Sequence, residues 1–126
     1  MRAGPMRLLF VSHSKEVGGA ESYLASLMLR ATAEARDVTL VCRRDPALDD
    51  WLRGLTDKGV TVERLDFRQP AEYRRFMQLA RRSSLVHLVL AYPVGKYQLA
   101  AAGMARLAGR ALIVTHQLSL DLDAVP

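Results

Sequence analysis

The chain has 126 residues, 50% hydrophobic and 25% charged, a composition that fits one globular domain able to bury about 65% of its unfolded surface. With 8 Gly and 5 Pro it is neither disordered, collagen-like nor of low complexity, and a single cysteine, Cys42, excludes an internal disulfide or a thiolate metal cluster. The net charge is +5, with fifteen Arg among the 18 basic residues, and favours anionic partners such as nucleotides, phosphorylated sugars or acidic lipid.

The first apolar run, Leu8-Leu9-Phe10-Val11, is four residues long. A signal peptide needs about 7–15 and a membrane span about 18, so a cytoplasmic protein is expected and the run reads as a strand. Tyr23, Leu24, Leu27, Met28 and Ala31 then recur at helical spacing. Val38 to Val41 reads as a second strand, and Trp51, Leu52 and Leu55 mark a second helix with Asp45-Pro46 as its cap and first turn. Val60 to Leu65 alternates apolar and polar residues, which suits a strand near a sheet edge. Gln69-Pro70-Ala71-Glu72 opens a third helix carrying Phe76, Met77, Leu79 and Ala80. Leu85 to Leu90 is a fourth strand, a fourth helix is expected from about Val94 to Leu107 with Gly109 closing it, and Ala111 to Val114 is a fifth strand. Leu118 to Pro126 matches no element, as if the chain continued into something longer.

Strands alternating with helices imply successive βα units. The expected fold is therefore α/β: a Rossmann-like three-layer α/β/α sandwich on a parallel sheet of about five strands, with the unbroken apolar strands central. Ligands of such sheets bind beyond the carboxyl ends of the strands. Ser12-His13-Ser14, Arg43-Arg44, Tyr92 and Thr115-His116-Gln117 stand at those ends. After the first strand, Gly18-Gly19 falls where loop becomes helix. Glycines there let backbone N–H groups approach a phosphate at the positive end of the helix dipole, or they turn the chain and nothing more. The segment is neither the dinucleotide fingerprint G-x-G-x-x-G nor a Walker loop. Arg43-Arg44 could meet the 2′-phosphate of NADP. His116 could hydrogen-bond a sugar hydroxyl or move an acceptor proton, or cap a backbone group, whereas His13 and His87 read as structural.

The Leu-Leu-Phe-Val strand, the loop closing in Gly18-Gly19-Ala20-Glu21, the helix beginning Ser22-Tyr23-Leu24-Ala25-Ser26-Leu27 and the strand Ala111-Leu112-Ile113-Val114-Thr115-His116 resemble the start of family 4 retaining glycosyltransferases, which have the GT-B fold of two Rossmann-like domains. The resemblance implies that residues 1–126 form the amino-terminal, acceptor-side domain and stop before a donor-binding carboxy-terminal domain. It implies a nucleotide-sugar donor, an acceptor not identified by the sequence, no cofactor and no metal. By the same resemblance Gly18 and Gly19 lie against the donor diphosphate and His116 faces the reacting sugar. Glu21, Tyr92, Lys96 and Gln117 are candidate acceptor contacts, although Pro93 and Gly95 beside Tyr92 and Lys96 could equally just start helix four. The His-x-His of relatives at strand four is broken here by Val89 after His87.

Arg74, Arg75, Arg81 and Arg82 sit on helix three at seven-residue spacing, beside Tyr73, Phe76, Met77 and Leu79. Such a helix can lie peripherally on an anionic membrane, or it can present a solvated face while its apolar side packs on the sheet. Nucleic acid is not expected, because finger spacings, RNP-like strands and long basic runs are missing. The alternatives to a transferase are a non-catalytic nucleotide- or phosphate-binding module, NADP-type or regulatory, and a peripheral membrane-binding domain.

Overall fold

The computed structural model describes residues 6–12, 19–34, 36–91, 102–104, 106 and 111–117. Five strands, β1 (Arg7–Ser12), β2 (Asp37–Cys42), β3 (Thr61–Arg64), β4 (Leu85–Ala91) and β5 (Ala111–Gln117), alternate with three helices, α1 (Gly19–Ala33), α2 (Asp49–Asp57) and α3 (Pro70–Arg82). All pairings are parallel, in the order β3-β2-β1-β4-β5. This is a Rossmann-like α/β sheet.

The order explains the apolar patterns. β1 is interior, so Leu8 and Phe10 enter one core cluster while Leu9 and Val11 enter the other. Both faces of the strand are buried, hence no alternation. β3 is one of the two edge strands, and its alternating residues are half-buried or exposed. The chain steps from β1 outward to β3 and then returns to place β4 on the other side of β1, so the winding direction reverses between β1 and β4. That reversal is mirrored in the packing: Leu24, Met28, Leu52 and Leu55 of α1 and α2 pack on one face, while Phe76 and Ala80 of α3 pack on the other.

Local chemistry sets the helix starts. Asp45 Oδ1 accepts the Ala47 N–H at 3.0 Å and Pro46 follows it, but the turn so capped is a separate 3-10 turn, Pro46–Leu48, which precedes α2. Pro70 occupies the first turn of α3, where a missing N–H costs nothing. Of the expected fourth helix, residues 102–104 and 106 are helical and the remainder lies outside the described residues, as do residues 118–126. Among the described residues no helix is long and apolar enough to cross a membrane.

Candidate functional site

The carboxyl edge of the sheet is formed by Ser12, Cys42, Arg64, Ala91 and Gln117, the last residues of the five strands. Gly19 is the first residue of α1, so Gly19, Ala20 and Glu21 belong to the turn whose N–H groups have no partner within the helix. His116 and Gln117 close β5, in register with Leu90 and Ala91 of β4. The fold thus brings Gly19, Glu21, His116 and Gln117 to helix and strand ends that share one edge of the sheet. Gly18, Tyr92, Lys96 and His13 lie outside the described residues.

A polar cluster of Glu72, Arg44 and Asp66 lies on the same edge. Glu72, in the first turn of α3, is 7% exposed. Its Oε2 accepts from Arg44 Nη1 at 2.8 Å and from the Asp66 N–H at 2.9 Å, and its Oε1 accepts from the N–H groups of Arg68 at 3.1 Å and Gln69 at 3.2 Å. Burial alone would raise the Glu72 pKa, but the three backbone donors and the guanidinium outweigh it and hold the carboxyl below its ordinary range. Asp66 adds a second anchor, since its Oδ1 accepts the Arg44 N–H at 2.9 Å and its Oδ2 lies 3.4 Å from Arg44 Nη1. Phe67, between them, takes a left-handed φ of 59° and is fully buried, its ring 5.4 Å from those of Tyr73 and Phe76.

In the sequence Arg43 and Arg44 form one candidate for a 2′-phosphate. The structure separates them, because Arg44 is the counter-ion of Asp66 and Glu72. The signal that announces Glu72 is its place three residues after Gln69, the spacing of a capping box. Nothing in the sequence assigns Arg44 to it.

The helix-three arginines also divide. Arg74, Arg81 and Arg82 are exposed. Arg75 is half-buried and ion-paired with Glu63 of β3, with Nε donating to Oε1 at 3.0 Å and Nη2 contacting the same oxygen. Arg75 is therefore turned to the sheet edge, where Glu63 of β3 holds it. The apolar side is committed too, since Phe76 is fully buried, Tyr73 packs on Phe67 and Leu79 joins the same cluster.

His87 lies mid-strand in β4. It is half-buried and stacked on Phe10 with ring centroids 5.4 Å apart and planes 27° apart, and burial lowers its pKa. Burial likewise pushes the Cys42 thiol up to about 11, with Arg64 pulling it down and Asp66 adding to the rise. A groove of about 500 Å³ runs between α2 and β3, bordered by Asp49, Leu52, Arg53, Thr56, Val62 and Arg64. The Arg64 to Asp49 ion pair at 2.6 Å spans it, and it contains none of the expected site residues. Among the described residues no group of three or more His, Cys, Asp or Glu could hold a metal ion. No protein-family model matches the chain, and no curated protein matches it significantly.

Proposed function

We propose that the chain is the amino-terminal, acceptor-side domain of a retaining GT-B glycosyltransferase that uses a nucleotide-sugar donor. In this reading the sheet, with α1 and α2 on one face and α3 on the other, is one three-layer Rossmann-like half of the enzyme, and a second domain supplies the donor's nucleoside contacts. The observation that carries the reading is the position of two sequence features: Gly19 opens α1 after β1, beside the reversal of winding, and His116 stands one residue from the end of β5. Ligands collect at such reversals because the crossovers leave to opposite faces and open a crevice.

The chemistry follows from those positions. Loss of the sugar leaves a nucleoside diphosphate, so negative charge grows on the leaving phosphate as the glycosidic bond breaks. The amino end of α1, with its unpaired N–H groups and about half a positive charge, offsets that growth. Glycine there lets the diphosphate approach the backbone. In this reading His116 orients a sugar hydroxyl or accepts the acceptor's proton.

The test is a transferase assay on the full-length protein with UDP- and GDP-sugars. Gly19→Asp, which sets a carboxylate against the diphosphate, and His116→Ala are each expected to lower the rate by about 100-fold or more. Wild-type rates in both would overturn the proposal. Preference for NADPH over UDP- and GDP-sugars in equilibrium dialysis would replace it with the dinucleotide-binding reading.

A further inference from the structure

The groove between α2 and β3 is lined by one face of each element. Asp49, Leu52, Arg53 and Thr56 recur at helical spacing along α2, and Val62 and Arg64 are alternate residues of β3. Leu52 is buried and Val62 half-buried, which makes part of the lining apolar, while Arg53 and Arg64 supply its cations. Its volume of about 500 Å³ falls within the range of about 300–1,000 Å³ usual for ligand clefts.

The same two residues of β3 also present an edge of the sheet. Among the described residues β3 has one neighbouring strand, β2. Successive residues of a strand turn their N–H and C=O groups to opposite sides, and the Leu65 N–H donates to the Cys42 carbonyl of β2 at 2.8 Å. With Cys42 opposite Arg64 and Thr39 opposite Thr61, Thr61 and Glu63 therefore face β2 as Leu65 does, and Val62 and Arg64 turn their backbone groups outward. Ladder groups and groove side chains thus come from the same two residues. That arrangement captures an extended peptide as an added strand, with backbone bonds for affinity and alternate side chains for specificity.

The charges on β3 decide which strand fits. A second copy added antiparallel through these groups sets Val62 against Arg64 of the copy and Glu63 directly against its own counterpart, and like charges so opposed are destabilising. A strand with an acidic residue opposite Arg64, an uncharged one opposite Glu63 and an apolar one opposite Val62 is complementary at each position. Arg64 Nη2 holds Asp49 at 2.6 Å, and the planar fork of a guanidinium accommodates a second carboxylate. Arg53, whose ion pair with Asp50 is long at 3.8 Å and exposed, lines the same groove and adds to the attraction. Glu63 needs no cation from the added strand, since Arg75 of α3 already pairs with it.

We propose that the β3 edge and its groove bind an extended segment of a partner protein, added antiparallel to β3 and reading acidic, uncharged, apolar from its amino end. The assignment does not rest on the transferase reading, because the groove contains none of Gly19, Glu21, His116 or Gln117.

The probe is the blocked heptapeptide Ser-Thr-Asp-Thr-Val-Thr-Ser, titrated into the full chain and followed by backbone amide NMR. Shifts are expected at Val62, Glu63 and Arg64 and along the groove face of α2. Lysine in place of the peptide's aspartate weakens binding about tenfold, and Arg64→Glu reverses that preference. N-methylation of the peptide's valine, whose N–H meets the Val62 carbonyl, weakens binding at least about tenfold, whereas N-methylation of its central threonine, whose N–H points away from β3, has a much smaller effect. Thr56→Trp, an exposed position of α2, fills the groove and abolishes binding while the circular dichroism stays unchanged. The proposal is overturned if the parent peptide does not bind at millimolar concentration or shifts residues outside β3 and α2. Equal binding of the aspartate and lysine peptides, or of the two N-methyl peptides, overturns it as well. A concentration-dependent dimer that Thr56→Trp dissolves gives the edge to a second copy and likewise overturns it.

Discussion

Glu72 Oε2 lies 2.8 Å from Arg44 Nη1, joining the first turn of α3 to the end of β2 across 28 residues of chain. The same carboxylate accepts three backbone N–H groups, from Asp66, Arg68 and Gln69, so the β3–α3 loop is built around it. Removing it strands those donors in a part-buried place. Glu72→Ala is therefore expected to cost about 3 kcal/mol, whereas Arg44→Ala, whose side chain is 55% exposed, costs about 1 kcal/mol. Urea unfolding of the two variants and of the double variant measures this. Equal losses in the two single variants would show that the ion pair, and not the backbone nest, holds the loop.

The two lowered pKa values place the acid limb of stability. His87 favours its neutral form when folded, so the unfolded chain takes up the proton first. Its contribution is complete above the ordinary value of 6.5 and is lost as pH falls below it. Glu72 behaves as a carboxylate held ionised: its contribution is present above 4.5 and is lost as pH falls through its lower folded value. Unfolding free energy measured against pH should then decline in two steps, beginning near 6.5 and again below 4.5. His87→Phe, which keeps a ring against Phe10, should remove the first step alone; persistence of that step would assign it to another group.

What could be read from the amino acids follows from the range of each interaction. β1 was legible as central and β3 as an edge because burial on two faces or one writes itself into consecutive residues such as Leu8-Leu9-Phe10-Val11. The start of α3 was legible because Pro70 acts on its own turn. Gly19 and His116 were legible as occupants of helix and strand ends, since those ends follow from the pattern. The pairing of Arg44 with Glu72, and of Arg75 with Glu63 twelve residues away, depends on which strands become neighbours, so the four arginines of α3 looked alike until β3 was set beside them. Phe67 was illegible for a different reason. A bulky residue is disfavoured at positive φ, and only the cavity waiting for its ring and the nest formed around Glu72 outweigh that preference.

Glycine substitutions separate two positions that look equivalent in sequence. Gly54 is inside α2, and a Cβ there would meet nothing within 4 Å, so Gly54→Ala should stabilise by about 0.5–1 kcal/mol through helix propensity. Gly59 has φ +99°, and its Cβ would stand 3.2 Å from Thr32 Cγ2 of α1. Gly59→Ala should instead cost about 1–2 kcal/mol. Thermal melts of the two variants moving in the same direction would contradict the turn geometry that joins α2 to β3.

Phe67 gives the sharpest test of stored backbone strain. Truncation to alanine removes a fully buried ring that packs edge-on against Phe76 and tilted against Tyr73, which costs about 3–5 kcal/mol. Alanine keeps a Cβ, however, and so keeps the penalty of the left-handed conformation at φ 59°. Glycine loses the same ring and is free of that penalty. Phe67→Gly should therefore be more stable than Phe67→Ala by about 1 kcal/mol, the reverse of the ordinary order of the two residues. If urea midpoints rank alanine above glycine, the loop has another conformation in solution, and the nest of N–H groups around Glu72 would need to be redrawn with it.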